Sequence, residues 1–224
     1  MALSGRGTAE EAKETQRAEA FSDGVFAIAV TLLILEIRAP AQHDIGNDSA
    51  LWHALRDLWP AYLAYIISFA TILVTWINHH AIMRLVGRTD NTFLLLNGLL
   101  LALITAVNFP TSLIAEYIGH PGEQAAALAY SGVFLLMACA FNILWRYTIR
   151  DDRLLLTSAD RAQVRAIDRR FRFGPLYYVA AFALAFVNAK ASLVFCLLLA
   201  VLFALPYNGN NIRTAQRDEA DAKG

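Results

Sequence analysis

Two short runs hold the side chains with chemistry to offer. Arg17-Ala-Glu-Ala-Phe21-Ser22-Asp23 opens an apolar stretch that continues from Gly24 to Leu35, and Trp76-Ile77-Asn78-His79-His80 closes a second one. A carboxylate costs roughly 2.5 to 3.5 kcal/mol at the centre of a bilayer on insertion scales, so an acid at the mouth of an apolar helix faces protein or water. A carboxylate, a hydroxyl, an amide and two imidazoles at one depth, with Arg17 below, suit a structural network of charge-assisted hydrogen bonds, a proton relay or a metal site. Adjacent helical residues point about 100° apart, so only one of His79 and His80 can face Asp23. The metal site is therefore the weakest of the three, and neither a metal nor a cofactor is expected.

Beyond Asp23, Ile28, Leu32 and Leu35 recur at i, i+4 and i+7, with Thr31 about 60° from Ile28 and Asp23 about 140° away on the same wheel. The first helix thus has an apolar ladder with one hydroxyl on one face and a polar foot aimed at neighbouring helices. Taken unaided, such a stripe most often packs against other helices.

These residues must be positioned by apolar helices. The 224-residue chain is 57% hydrophobic and 17% charged, with a mean hydropathy of +0.43, too apolar for an ordinary soluble domain. The fold class expected is all-α and polytopic, with six spans over residues 20–37, 59–82, 93–118, 125–145, 173–187 and 191–205, the last two short and paired. Prolines fall mainly at span ends; Pro110 is internal and predicts a kink near Asn108. Asn97, Asn108 and Asn142 are expected to hydrogen-bond between helices, and Cys139 and Cys196 to act as small apolar fillers. Placing both termini in the cytoplasm puts sixteen of the nineteen Lys and Arg inside, eight of them between Arg146 and Arg172. That loop has the spacing of a basic amphipathic helix around Arg161, Arg165 and Arg169, and an outer loop over residues 38–57, with His43, Asp44 and Trp52, ends in a short interfacial helix around residues 51–58. Residues 1–15 and 207–224 lack apolar periodicity and are expected to be mobile flanks of a six-span domain over residues 16–206. Neither a Walker loop, an HExxH motif nor a Thr-Val-Gly-Tyr-Gly filter is present, and no enzyme activity is expected.

At Arg17-x-x-x-Phe21-Ser22-Asp23-Gly24-Val25 and Trp76-x-x-His79-His80 the chain resembles the transmembrane protein 175 family, the endosomal and lysosomal potassium channels and their bacterial relatives. The resemblance implies a single-repeat, prokaryotic-type homotetramer in the cell membrane, lipid-embedded, with its pore lined by the first helix and potassium or other monovalent cations as permeant species. No nucleic-acid partner is expected. The resemblance further implies that Ile28 forms the narrowest ring, that Leu32 and Leu35 form rings further outward, that Thr31 contributes a hydroxyl layer favouring potassium, and that Phe21, Ser22 and Asp23 scaffold the pore helix against the next two spans. Arg17, Trp76, Asn78, His79 and His80 complete the scaffold expected. The competing expectation is a proton-coupled transporter or proton pathway using Asp23, His79 and His80.

Overall fold

A computed structural model describes residues 2–41 and 45–205, with side chains from Glu11 onward. The expectations for His43, Asp44 and the tail at 207–224 lie outside the described residues. The described chain is helical: α1 (Ala2–Leu32), α2 (Asp48–Asp57), α3 (Trp59–Met83), α4 (Asn91–Ala106), α5 (Asn108–Tyr117), α6 (Glu123–Ile149), α7 (Arg161–Phe171), α8 (Gly174–Ala185) and α9 (Ala189–Ala204). Four stretches are long and apolar enough to cross a membrane by length and composition: Glu11–Glu36, Trp59–Met83, Asn91–Tyr117 and Glu123–Asp152. The short pair expected at the end is α8 and α9, of 12 and 16 residues. At 1.5 Å per residue they extend about 18 and 24 Å, short of the roughly 30 Å hydrocarbon core.

Each boundary has a local cause. Pro60 sits in the first turn of α3 and Pro175 in that of α8, where a missing N–H costs nothing. Asp90 and Asn188 cap α4 and α9 by accepting the Phe93 and Ala191 amides at 2.8 and 2.9 Å. The helix is interrupted where Pro110 predicts a kink: α4 stops at Ala106 and α5 restarts at Asn108, because Pro110 cannot donate to the Ala106 carbonyl, though Val107 between them keeps helical backbone angles. Residues 2–15 continue α1 as helix, since strong helix formers over residues 9–14 extend a helix already nucleated by its packed apolar half.

The core lies between α6 and its neighbours α4, α5, α8 and α9, while α3 packs against α1, α5 and α9, and α1 against α3 and α4. Tyr130, Phe134 and Trp145 of α6 are fully buried in it. A buried hydroxyl chain ties three helices together: Tyr130 lies 2.8 Å from Ser68, Ser68 lies 2.7 Å from Thr111, and Thr111 donates to the Val107 carbonyl at 2.7 Å. Because the Thr111 proton goes to that carbonyl, Ser68 donates to Thr111 and Tyr130 to Ser68. At the arginine-rich end, the α3–α4 and α6–α7 loops pair through Gly87 N–H to Leu154 O and Leu156 N–H to Leu85 O, both at 2.8 Å. A Cβ on Gly87 would stand 3.1 Å from the Leu156 Cα, so this approach favours glycine. Helices form where the interfacial and the basic amphipathic segments are expected, as α2 and α7; α2 buries no residue and leaves Trp52 exposed.

Candidate functional site

The first helix is two-sided. Thr15, Ala18, Ser22, Phe26, Ala29 and Leu33 are buried at spacings of three and four, while Ile28, Leu32 and Leu35 are 59%, 43% and 67% exposed. The ladder therefore does not pack against this subunit's own helices. Beyond Leu32 the chain tightens into a 3-10 turn over Leu33–Glu36. A 3-10 helix turns three residues per cycle, so Leu35 stands directly over Leu32 rather than 60° to its side. Thr31 is exposed beside them, and its hydroxyl lies 2.9 and 3.0 Å from the Ala27 and Ile28 carbonyls. With its proton turned into the helix, the Thr31 oxygen presents lone pairs outward, which is what a cation accepts.

The opposite face is held by polar contacts to α3 and α4. Ser22 donates to the Ala18 carbonyl at 2.8 Å and accepts from Asn97 Nδ2 at 2.9 Å, and Asn97 Oδ1 lies 2.9 Å from His79 Nε2. Since that amide oxygen can only accept, the network assigns the proton to Nε2. His79 Nδ1 is buried without a hydrogen-bond partner, and the Phe26 ring packs against the imidazole at a centroid distance of 5.4 Å. One step aside, Trp76 Nε1 donates to Asp23 Oδ1 at 2.9 Å. Trp76 stacks on His80, whose Nδ1 lies 3.1 Å from Glu19 Oε1, close enough for an ion pair though misaligned for a hydrogen bond.

Not every expected member of the scaffold joins. His79 and His80 diverge to Asn97 and Glu19, and neither hydrogen-bonds Asp23. Asn78 is about 200° from Trp76 on α3 and instead lines a cavity of about 60 Å³ with Thr75, Asn142 and Tyr178, facing away from α1. Arg17 is exposed, with no hydrogen bond or ion pair among the described residues. Phe21 is 66% exposed on the same face as Ile28, seven residues away, and so contacts the buried network on neither side. Glu19 and the hydroxyl chain of Ser68, Thr111 and Tyr130 were not foreseen. Glu19 had a signal, lying four residues before Asp23 on α1; single hydroxyls scattered over three helices had none. Of the expected interhelical asparagines, Asn97 serves α1 and α3, Asn142 donates to the Phe171 carbonyl of α7 at 2.7 Å, and the Asn108 oxygen is buried without a partner.

Fold and site together define a class: an all-helical protein with several apolar helices able to cross a bilayer, whose first helix is clamped on one face and displays large aliphatic side chains on the other. The chain belongs to the transmembrane protein 175 family. Its residues 17–108, which hold the clamp and the ladder, match the family model described as the endosomal/lysosomal potassium channel TMEM175. A potassium channel of Chamaesiphon minutus is 54% identical over 200 residues, 89% of this chain and 98% of that one. A potassium channel of Streptomyces collinus is 42% identical over 208 residues, 92% of this chain and 98% of that one. The crystal structure of a lysosomal potassium-selective channel TMEM175 homolog from Chamaesiphon minutus superposes with a TM-score of 0.80 at 49% identity, over 88% of this chain and 100% of that one.

Proposed function

We propose that the chain is one subunit of a homotetrameric, potassium-selective cation channel of a prokaryotic cell membrane. It crosses the membrane six times, α8 and α9 being the short last pair, with both termini in the cytoplasm as the arginine distribution favours. The observation that carries this reading is the exposure of Ile28, Leu32 and Leu35 on a helix that buries Ser22, Phe26, Ala29 and Leu33 on its other side. Large aliphatic side chains standing in register on a rotational axis would form rings too narrow and too apolar for a hydrated cation, so water leaves and conduction stops until the helices rotate or part. The outward lone pairs of the four Thr31 hydroxyls would coordinate a partly dehydrated ion, which implies modest rather than extreme preference for potassium. The relatives named as potassium channels support the same activity. Ser22, Asp23, Trp76, His79 and Asn97 act as the clamp that fixes the register of the pore helix.

A proton pathway is the competing reading, favoured by the titratable groups Glu19, Asp23, His79 and His80 at one depth. Against it, only Glu19 and His80 face one another, Asp23 and His79 being engaged by Trp76 and Asn97, and no polar side chain on the exposed face stands between Asp23 and Thr31 to pass a proton outward. The deciding experiment is the reversal potential of the purified protein in planar bilayers under a potassium gradient, repeated with sodium replacing potassium on one side. Reversal near the potassium equilibrium value is expected. Current that follows the proton gradient and ignores potassium would overturn the channel assignment.

A further inference from the structure

Eight arginines lie between Arg146 and Arg172, and six of them have partners in the fold. Arg146 donates to Asn142 Oδ1 at 2.8 Å, Arg150 pairs with Asp151, Arg153 with Asp90, Arg161 with Asp152 and Arg172 with Asp168. Arg170 reaches the Phe203 carbonyl at the end of α9 and lies over the Phe203 ring, and burial pulls its pKa below the usual arginine range. Arg165 and Arg169 have no acidic or hydrogen-bond partner among the described residues, and both are exposed. They are one helical turn apart on α7, about 6 Å between Cβ atoms at that spacing.

Their placement is not that of a generally basic helix. Val164, Ala166 and Phe171 bury one side of α7. Arg161, Arg165, Arg169 and Arg172 fall within about 80° of one another on the wheel, away from Val164 and Phe171. Asp152 and Asp168 compensate Arg161 and Arg172 at the ends of the stripe, whereas Arg165 and Arg169, like charges at i, i+4, repel one another with no such carboxylate against them. Arg172 is followed directly by Phe173, and Phe173, Leu176 and Val179 turn outward from the bundle, 46% to 61% exposed. If α8 is the fifth span, those side chains meet acyl chains and Arg172 stands at headgroup depth on the inner leaflet.

From these observations we infer that the arginine stripe of α7 is a binding site for anionic phospholipid, with the headgroup phosphate bridging Arg165 and Arg169. Two planar guanidinium forks at this spacing can each give paired hydrogen bonds to a phosphate, which a lysine pair could not do. The bound lipid neutralises the repulsion along α7 and so stabilises the α6–α7–α8 corner, which Asn142 fastens through the Phe171 carbonyl. The inference rests on the six-span reading for the depth of the stripe, yet it is measured without current, so failure of one is distinguishable from failure of the other.

The test is thermal unfolding of the full-length protein in mild detergent with added phosphatidylglycerol or phosphatidylcholine, paired with native mass spectrometry to count retained lipids. Phosphatidylglycerol should raise the melting temperature more than phosphatidylcholine does. R165Q and R169Q should each weaken its retention by about fivefold, and the double variant should erase most of the preference. R84Q, which removes an exposed arginine at the same end without touching α7, should keep it. Equal shifts from the two lipids, an unchanged preference in R165Q/R169Q, or the same shift from inorganic phosphate alone would each overturn the assignment. Should the double variant fail to fold, salt decides on the wild-type protein: a phosphatidylglycerol preference that persists undiminished at 1 M ionic strength, where screening acts within about 3 Å, would overturn it as well.

Discussion

The two faces of α1 share one stretch of sequence and invert the pattern of a water-soluble helix. The buried face is built largely from small or polar residues, Thr15, Ala18, Ser22 and Ala29, with Phe26 and Leu33 between them, whereas the exposed face carries Ile28, Leu32, Ile34 and Leu35. Small residues let α3 and α4 approach closely, and the hydrogen bonds of Ser22 and Asp23 supply direction that lipid-like packing cannot. The exposed face has the opposite design, bulk without direction, which suits the proposed role of crowding across an axis and parting again. In this protein the polar groups fix position and the apolar ones face the pathway proposed for the ion.

Substitution on the exposed face tests that division most severely. Ile28→Asn keeps the number of side-chain heavy atoms, though not the volume, and hydrates the proposed constriction; the resting leak in planar bilayers should rise at least about tenfold, equivalent to removing about 1.4 kcal/mol of barrier. Unchanged leak in a protein shown to be an assembled oligomer would break the comparison, because the ladder would then face lipid or a neighbouring subunit. On the buried face, Asn97→Ala should leave conduction selectivity alone and cost stability. His79, fully buried with Nδ1 already unpartnered, would lose its remaining partner, a penalty of about 1 to 3 kcal/mol read as a lower melting temperature and oligomer yield. The double variant Asn97→Leu with His79→Phe should recover much of that loss, since replacing both partners by apolar groups leaves far less unsatisfied.

What was legible in the sequence followed from periodicity and from adjacency along the chain. The apolar runs, the break at Pro110, the amphipathic α7 and the meeting of Ser22 and Asp23 with the end of α3 all announce themselves as local patterns. The partners within that meeting did not. Residues 76 to 80 arrive together, but a helix distributes them around its full circumference, so Trp76, His79 and His80 meet three different side chains while Asn78 turns to the far cavity. The chain of Tyr130, Ser68 and Thr111 was illegible for a related reason: each residue is an ordinary hydroxyl in an apolar helix, and only tertiary packing brings the three together. Leu35 stays on the ladder, but the 3-10 turn that sets it directly over Leu32 is not announced by the i, i+4, i+7 spacing.

A smaller effect is expected where the two faces meet. Trp76→Phe keeps an aromatic side chain but removes the N–H donated to Asp23 together with part of the indole; Asp23 is only half-buried, so water can replace the bond and its share of the loss should be about 1 kcal/mol. Melting temperature should fall slightly with leak unchanged. A large rise in leak would mean that the register of the ladder depends on this single bond.

The smallest effect is expected furthest from α1, where Asp90 joins the start of α4 to the end of α6. One carboxylate oxygen caps the Phe93 amide, and the other accepts from the Tyr147 hydroxyl at 2.7 Å and from Arg153 at 3.0 Å. Burial alone would raise this carboxyl; the Phe93 amide, the Tyr147 hydroxyl, the Arg153 charge and the Thr92 amide outweigh it, and the pKa lies below the ordinary carboxylate range. The stabilisation is therefore complete above that range and is lost as pH falls through the lowered value. Asp90→Asn retains the cap and removes the charge, so the wild type's stability advantage over it should shrink on acidification, and the gap should be modest because the pair is partly exposed. Asp90→Ala, which also removes the cap, should cost about 1 kcal/mol more. Neither touches α1, so reversal potential and leak should match the wild type at neutral pH. A shifted reversal potential in Asp90→Asn would show that the arginine-rich loops are coupled to the ladder, and the separation of a positioning face from a conducting face would have to be extended to the whole α4–α6 corner.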